Sequence, residues 1–133
     1  MNQKKTIQTI GKRKCAIARA TLSPGNGKVT INHKVINNLA SELSQARILE
    51  PILLAGDTIK EVNISVNVSG GGCQGQTEAS RLAIARALAN YNKKLKKTFL
   101  DYDRQLMIAD IRMKEQRKPN DSRARAKRQK SYR

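Results

Sequence analysis

A glycine-rich segment could bind phosphate. Gly70-x-Gly72-x-x-Gly75 follows an alternating apolar stretch and precedes a helical pattern, as in the dinucleotide-binding fingerprint. That fingerprint also needs an acidic residue about 20 residues later to hold the ribose. The corresponding residues 91–97 include four lysines and no acid. A Gly-Lys-Ser/Thr ending is missing too, so we predict no nucleotide cofactor and no P-loop.

Two interpretations of this glycine loop stay open. In the first, residues 70–75 are a tight joint between a strand and a helix, where missing side chains let the backbone turn sharply. In the second, the bare amides at the start of the helix contact an RNA phosphate.

Other reactive side chains are sparse. The single histidine, His33, has no second histidine with which to build a metal site or a catalytic triad, and Cys15 and Cys73 lack metal-ligand spacing. We expect both cysteines to be small buried residues. A small phosphotransferase stays open as an alternative class, but it would need a catalytic carboxylate and a metal ligand near the glycine loop, where Glu78 is the only acid. We therefore predict a protein that is not an enzyme and binds no metal or cofactor.

The elements around the loop predict a compact α+β domain. Residues 62–68 alternate as a half-buried strand, and residues 76–91 form a helix whose stripe of mostly small side chains runs from Ser80 to Tyr91. Arg81 and Arg86 lie off that stripe and are expected to face outward. Residues 14–22 predict a strand with one alanine-lined face, which suits close packing on such a helix.

The remaining apolar segments complete this domain. Residues 28–31 and 34–36 predict short strands, and residues 37–56 predict a helix in two pieces with Pro51 opening or kinking the second. Residues 93–103 predict another helix, with Leu95, Phe99 and Tyr102 facing inward.

The net charge points to a polyanionic partner. The chain has 27 lysines and arginines against 10 acidic residues, a net charge of +17, and nucleic acid neutralises such a surface. Aromatic residues make up only 3% of the chain, so bases are not expected to stack on it. We find no signal peptide, membrane span or membrane-binding helix pattern, and we expect a soluble intracellular protein. A DNA-compacting protein remains an alternative to an RNA-binding one.

Residues 112–133 differ in character, with ten basic and two acidic residues. They hold too few apolar groups to order on their own, and residues 119–121 favour a turn or joint. We expect a globular RNA-binding domain over residues 1–110 and an extended basic tail over residues 111–133.

Five segments resemble the family of small-subunit ribosomal protein nine, and the last of them resembles its archaeal and eukaryotic-cytosolic branch. These segments are Gly11-Lys12-Arg13-Lys14-x-Ala16-Ile17-Ala18-Arg19-Ala20, residues 50–56, Gly70-Gly71-Gly72 with Gly75-Gln76, Arg81-x-Ala83-Ile84-Ala85-Arg86-Ala87-Leu88, and residues 123–133. Together they span nearly the whole chain. His33 stands where the family usually has glycine, and residues 119–122 replace a more glycine-rich hinge.

The resemblance implies a four-stranded sheet backed by helices, with a left-handed βαβ crossover like that of a domain of ribosomal protein five. It further implies a place in the head of the small subunit, on the 3′ major domain of the rRNA, among neighbouring head proteins and near mRNA. The residues implied to contact P-site tRNA are Lys130, Ser131, Tyr132 and Arg133. The candidates for rRNA contact are Lys12, Arg13, Lys14, Arg19, Gly71, Gly72, Gln76, Arg81, Arg86, Arg123, Arg125, Lys127 and Arg128.

Overall fold

The computed structural model describes residues 6–39, 41–127 and 131 of the 133-residue chain. The strands within these residues are β1 (Ile7–Arg13), β2 (Ala16–Pro24), β3 (Val29–Ile31), β4 (Lys34–Val35) and β5 (Val62–Ser69). The α-helices are α1 (Glu42–Ala55), α2 (Cys73–Tyr91) and α3 (Leu95–Tyr102). Short 3₁₀ segments lie at Ile36–Asn38, Gly56–Glu61 and Arg104–Leu106. The predicted α+β class is confirmed.

The sheet has the strand order β1-β2-β5-β3-β4. β2 runs antiparallel to both β1 and β5, whereas β3 lies parallel to β5. The described sheet has five strands and not the expected four, because the two-residue β4 folds back on β3. Asn32 and His33 form the turn between them with φ values of 46° and 66°, and tight two-residue hairpin turns of type I′ need positive φ at both positions.

Small residues let α2 lie directly on one face of the sheet. The predicted alanine-lined face of β2 is confirmed, with side chains no more than 1% exposed at Ala16, Ala18 and Ala20. On β1 the contact is closer still: a Cβ added to Gly11 would lie 2.0 Å from the carbonyl oxygen of Ala79. Only glycine fits there, so the packing of α2 on the sheet depends on this residue.

Helices α1 and α3 also contact α2, which is therefore buried around most of its circumference. Three details of the predicted helices are wrong. Pro51 is buried inside the single helix α1 and does not begin a second piece. Burial of its ring in the core offsets the intrahelical hydrogen bond that proline cannot donate. Tyr91 and Tyr102 were expected to face inward, yet they are 41% and 57% exposed, since each lies in the last turn of its helix, at the edge of the packed helices. Phe99 is fully buried as expected.

Residues 109–127 contain turns and bends but no helix or strand. A turn at residues 119–120, where Asn120 has a φ of 64°, reverses the chain direction. No helix in the described part of the chain is long and apolar enough to cross a membrane.

Candidate nucleic-acid interface

A groove of about 870 Å³ lies at the end of the sheet where β1 turns into β2 and β5 leads into α2. Three segments form it: the β1–β2 turn, the glycine loop with the first turn of α2, and residues 112–114. Four residues predicted to contact rRNA line this groove together: Arg13, Lys14, Gly71 and Gly72.

Two glycines of the loop have packing roles. Gly70 and Gly71 have φ values of +76° and +65°, which favour glycine. A Cβ on Gly70 would lie 2.5 Å from the carbonyl oxygen of Cys15, and one on Gly71 would lie 3.0 Å from the amide nitrogen of Ala16. Gln76 closes the loop, because its Nε2 donates to the Gly70 carbonyl oxygen at 3.1 Å. The interpretation as a tight joint thus accounts for both glycines.

Gly72 is different, because an added Cβ there would have no atom within 4 Å. It is the N-cap residue of α2, with ordinary φ and ψ of −101° and 175°. As glycine it offers no side-chain cap to the first amides of the helix, and the first turn contains no acidic residue. Uncapped amides and the positive end of the helix dipole favour an anion at this position. Neither strain nor packing requires a glycine here.

The groove is strongly cationic. Arg13, Lys14, Arg112 and Lys114 line it, and none of the lining residues is acidic. Arg112 and Lys114 were not among the predicted contacts, although they open the basic segment that the sequence set apart. Phosphate groups are the natural partners of such a set, since guanidinium and ammonium groups donate charge-assisted hydrogen bonds to them.

Asp110 lies behind two of these cations. Its Oδ1 accepts from the backbone amide of Arg112 at 2.9 Å, and its Oδ2 accepts from Nη2 of the same residue at 2.6 Å. Nη1 of Arg13 lies 3.2 Å from Oδ2. The hydrogen bonds from Arg112, with the charges of both arginines, hold the pKa of the Asp110 carboxyl far below its ordinary value of 3.8. The carboxylate therefore stays charged and keeps both arginines close.

Arg81 does not face outward as expected, because it is only 6% exposed. Its Nε donates to Oε2 of Glu50 at 2.7 Å and its Nη1 donates to Oδ2 of Asp103 at 3.0 Å. Burial lowers the pKa of Arg81, but the hydrogen bonds and charges of the two carboxylates outweigh it and hold the pKa above its usual value. This guanidinium joins α2 to α1 and to the end of α3.

Arg86 is also directed into the protein. Its Nε donates to the Met107 carbonyl oxygen at 3.1 Å, and its Nη1 donates to the Ile10 carbonyl oxygen at 2.8 Å. It thereby fastens the chain after α3 to the edge strand β1. The structure gives both arginines internal partners that the helical pattern could not reveal.

The other predicted contacts lie away from the groove. Lys12 and Arg19 are exposed on the face of the sheet opposite α2. Arg123, Arg125 and Lys127 are exposed beyond the turn at residues 119–120; Arg125 pairs with Glu115 at 2.8 Å, and Arg123 lies near Lys114 and Arg117 around a hollow of about 350 Å³. Ser131 is exposed. The remaining predicted contacts lie outside the described residues: Arg128, Lys130, Tyr132 and Arg133.

Both cysteines are exposed and line the groove, so the expectation that they are buried is wrong. Cys15 lies in the β1–β2 turn. Cys73 begins α2, where its Sγ lies 3.9 Å from Oγ of Ser44 in α1, but this contact leaves the residue exposed. Among the described residues no cluster of His, Cys, Asp and Glu could hold a metal ion. Glu78, the acid nearest the glycine loop in sequence, pairs with Arg47 of α1.

Comparison with known proteins identifies the family. The model of the family described as ribosomal protein S9/S16 matches residues 11–133. The chain belongs to this family. Two relatives, each named small ribosomal subunit protein uS9 and from Methanococcus maripaludis strains C5 and C7, are 41% identical over 133 residues. The alignments cover 97% of this chain and 99% of each relative. The predicted family and its archaeal type are confirmed, and so is the prediction that this S9-family chain is not an enzyme.

Proposed function

We propose that the chain binds rRNA of the small-subunit head through the cationic groove, and that residues 130–133 contact the P-site tRNA. Its family makes it a structural constituent of the small ribosomal subunit, which acts in translation in the cytoplasm. The proposal adds the surfaces and the partners: the 3′ major domain of the rRNA, the P-site tRNA, neighbouring head proteins and mRNA nearby.

One observation carries the rRNA part: four cations and no acid line a groove at a helix N-terminus that has no side-chain cap. Lysine and arginine side chains donate charge-assisted hydrogen bonds to phosphates, and such contacts fix orientation without reading base sequence. Exposed cations away from the groove offer further phosphate contacts: Lys12 and Arg19 on the sheet face opposite α2, and Arg123, Arg125 and Lys127 in the tail. Arg81 and Arg86 contribute less, because internal partners engage their guanidinium groups.

Filter binding of the purified full-length protein to a transcript of the 3′ major domain tests this interface. We expect Lys14→Gln to weaken binding and to lower the slope of log affinity against log salt by about one, the effect of one lost phosphate contact. Lys28→Gln is the matched control, because Lys28 is also exposed but lies at the opposite end of the sheet, beside the start of β5. Equal losses for the two variants would mean that the groove has no special role. Equal affinity of the wild type for duplex DNA would favour a DNA-compacting protein.

The tRNA part rests on the family resemblance, and Arg133 is the residue proposed to reach the anticodon stem-loop. A terminal guanidinium can grip a phosphate through two parallel hydrogen bonds. Deleting Arg133 should weaken P-site tRNA binding by about 1–3 kcal/mol for initiator and elongator tRNAs alike, while small subunits still assemble. Unchanged affinity for both tRNAs would leave the tail as an rRNA anchor only.

The proposal also includes two features of architecture. β3 and β5 are parallel neighbours joined through α1, and we propose that this connection is the left-handed crossover that the resemblance implies. We further propose that residues 1–110 are the RNA-binding domain and residues 111–133 its tail. Limited proteolysis of the free protein should first cut within residues 111–118, which are all exposed; an initial cut inside α1 or α2 would contradict this division.

A further inference from the structure

The arrangement behind the groove gives one acidic residue a role. Asp110 pairs with two cations that line the groove, Arg13 and Arg112, but does not line the groove itself. Its side chain is only 10% exposed, although carboxylates usually remain in water. An acid held inside a positive surface weakens attraction to phosphate unless it also organises that surface.

Its contacts show what it organises. Arg112 directs its backbone amide, Nε and Nη2 at this carboxylate, which leaves Nη1 outside the contact. The Arg112 side chain is 74% exposed, so the guanidinium is fixed on one edge and open on the other. A fixed, exposed guanidinium loses less conformational freedom when it binds phosphate than a freely moving one does.

Arg13 reaches the same carboxylate from β1. Its side chain is 20% exposed, and its Nη1 is buried without a hydrogen bond in the described structure. The carboxylate 3.2 Å away balances that buried charge. Without Asp110, Arg13 would keep a poorly compensated cation and would repel Arg112.

We propose that Asp110 is a positioning residue that holds Arg13 and Arg112 side by side as a clamp for one RNA backbone phosphate, and aims the chain at residues 111–114 along the groove. This inference rests on the proposed function of the groove. Asp110 touches no RNA itself; it acts through the two arginines. The ligand is a phosphodiester of the rRNA backbone.

The sign of one substitution separates this role from general electrostatics. Asp110→Asn makes the chain one unit more positive, so charge alone predicts tighter RNA binding. The clamp predicts binding about tenfold weaker, the loss of one well-oriented charged hydrogen bond. Asp57→Asn is the matched control, because Asp57 is 91% exposed and pairs only with Lys60 among the described residues. It changes the charge equally and should leave affinity unchanged or slightly tighter.

The test is filter binding of full-length variants to the 3′ major domain transcript, below the melting temperature of each. Asp110→Glu keeps the charge but moves the carboxylate by one methylene, and it should give a smaller loss. It also keeps the test decisive where Asp110→Asn fails to fold. In an Arg112→Gln background, Asp110→Asn should weaken transcript binding much less than it does in the wild type.

Affinity of Asp110→Asn equal to or tighter than that of the wild type would overturn the inference while leaving the rRNA interface intact. Where Asp110→Asn does not fold, unchanged affinity of Asp110→Glu would overturn it. The inference would also be overturned if Asp110→Asn weakened transcript binding equally in the wild type and in the Arg112→Gln background. A wild-type protein that does not bind the transcript would overturn the proposed function itself, and the clamp with it.

Discussion

Replacing Arg81 by methionine should destabilise the fold. Methionine keeps most of the apolar stem and removes the guanidinium that is hydrogen-bonded to Glu50 and Asp103. The two carboxylates would then face each other across the space left by the guanidinium, with no cation between them. The helical pattern predicted an outward-facing arginine, whereas Arg81 is buried. A loss of stability in Arg81→Met would support the buried position.

The magnitude follows from burial. Removing one partner of a buried ion pair costs about 3–5 kcal/mol. The side chains of Glu50 and Asp103 are 29% and 34% exposed, so water solvates part of each carboxylate. We discount the cost to about 2–3 kcal/mol for this reason, which lowers the melting temperature by roughly 10 °C in a domain of this size.

Urea and thermal denaturation of Arg81→Met and Arg47→Met form the assay. Arg47 is the matched control, because it pairs with Glu78 across the same α1–α2 contact but is 45% exposed. An exposed pair contributes about 1 kcal/mol or less. Equal stability of the two variants would refute the reasoning. A loss of rRNA affinity without a loss of stability would return Arg81 to the set of RNA contacts.

Three further outcomes follow from the geometry. Gly11→Ala should lower the free energy of unfolding, measured in urea, by about 3 kcal/mol or more, because the new Cβ would lie 2.0 Å from the Ala79 carbonyl oxygen. This is at or beyond the upper end of the roughly 1–3 kcal/mol that overpacking usually costs. Wild-type stability would mean that α2 is not packed this closely. Gly71→Ala should lower the melting temperature more than Gly72→Ala, since Gly71 has a positive φ and a crowded Cβ position. Gly72→Ala only replaces the N-cap glycine of α2 by a weaker capping residue, and it should also weaken transcript binding. Equal melting shifts would contradict this. The pKa of Asp110 is lowered in the folded protein, so its ion pairs add their full stability above the unfolded pKa of about 4. This stability is lost as the pH falls through the lower folded pKa. The stability difference between wild type and Asp110→Asn should therefore stay constant from about pH 6 to 9 and shrink in acid melts; a change between pH 6 and 8 would contradict this.

The spacing of apolar residues along the sequence was enough to predict the strands that have one buried face. The alternation of β5 and the alanines of β2 both report which face is buried, and the structure confirms them. The strand β4 was expected from its apolar residues, but the count of strands came from the family resemblance and missed it. Two residues give too short a pattern to decide whether they pair.

The sequence named some of the residues that line the groove, but not the groove itself. Arg13, Lys14 and the glycines stand in two recognisable segments, and the fold brings these together. The position of Arg112 in the groove and of Asp110 behind it could not be predicted, because both meet Arg13 only after the chain returns from α3 to the β1–β2 turn. The burial of Arg81 was invisible for the same reason, since Glu50 lies 31 residues away and Asp103 lies 22 away.

Directed cleavage of rRNA from the groove tests the central claim most directly. Cys15 is an exposed groove residue, so an iron chelate tethered there in a Cys73→Ser protein places hydroxyl radicals beside any bound RNA. In small subunits reconstituted with this protein, we predict strand cleavage concentrated in the 3′ major domain. A probe on Lys28→Cys, with both native cysteines replaced by serine, should cleave those nucleotides weakly or not at all. Cleavage from Lys28→Cys but none from Cys15 would contradict the account.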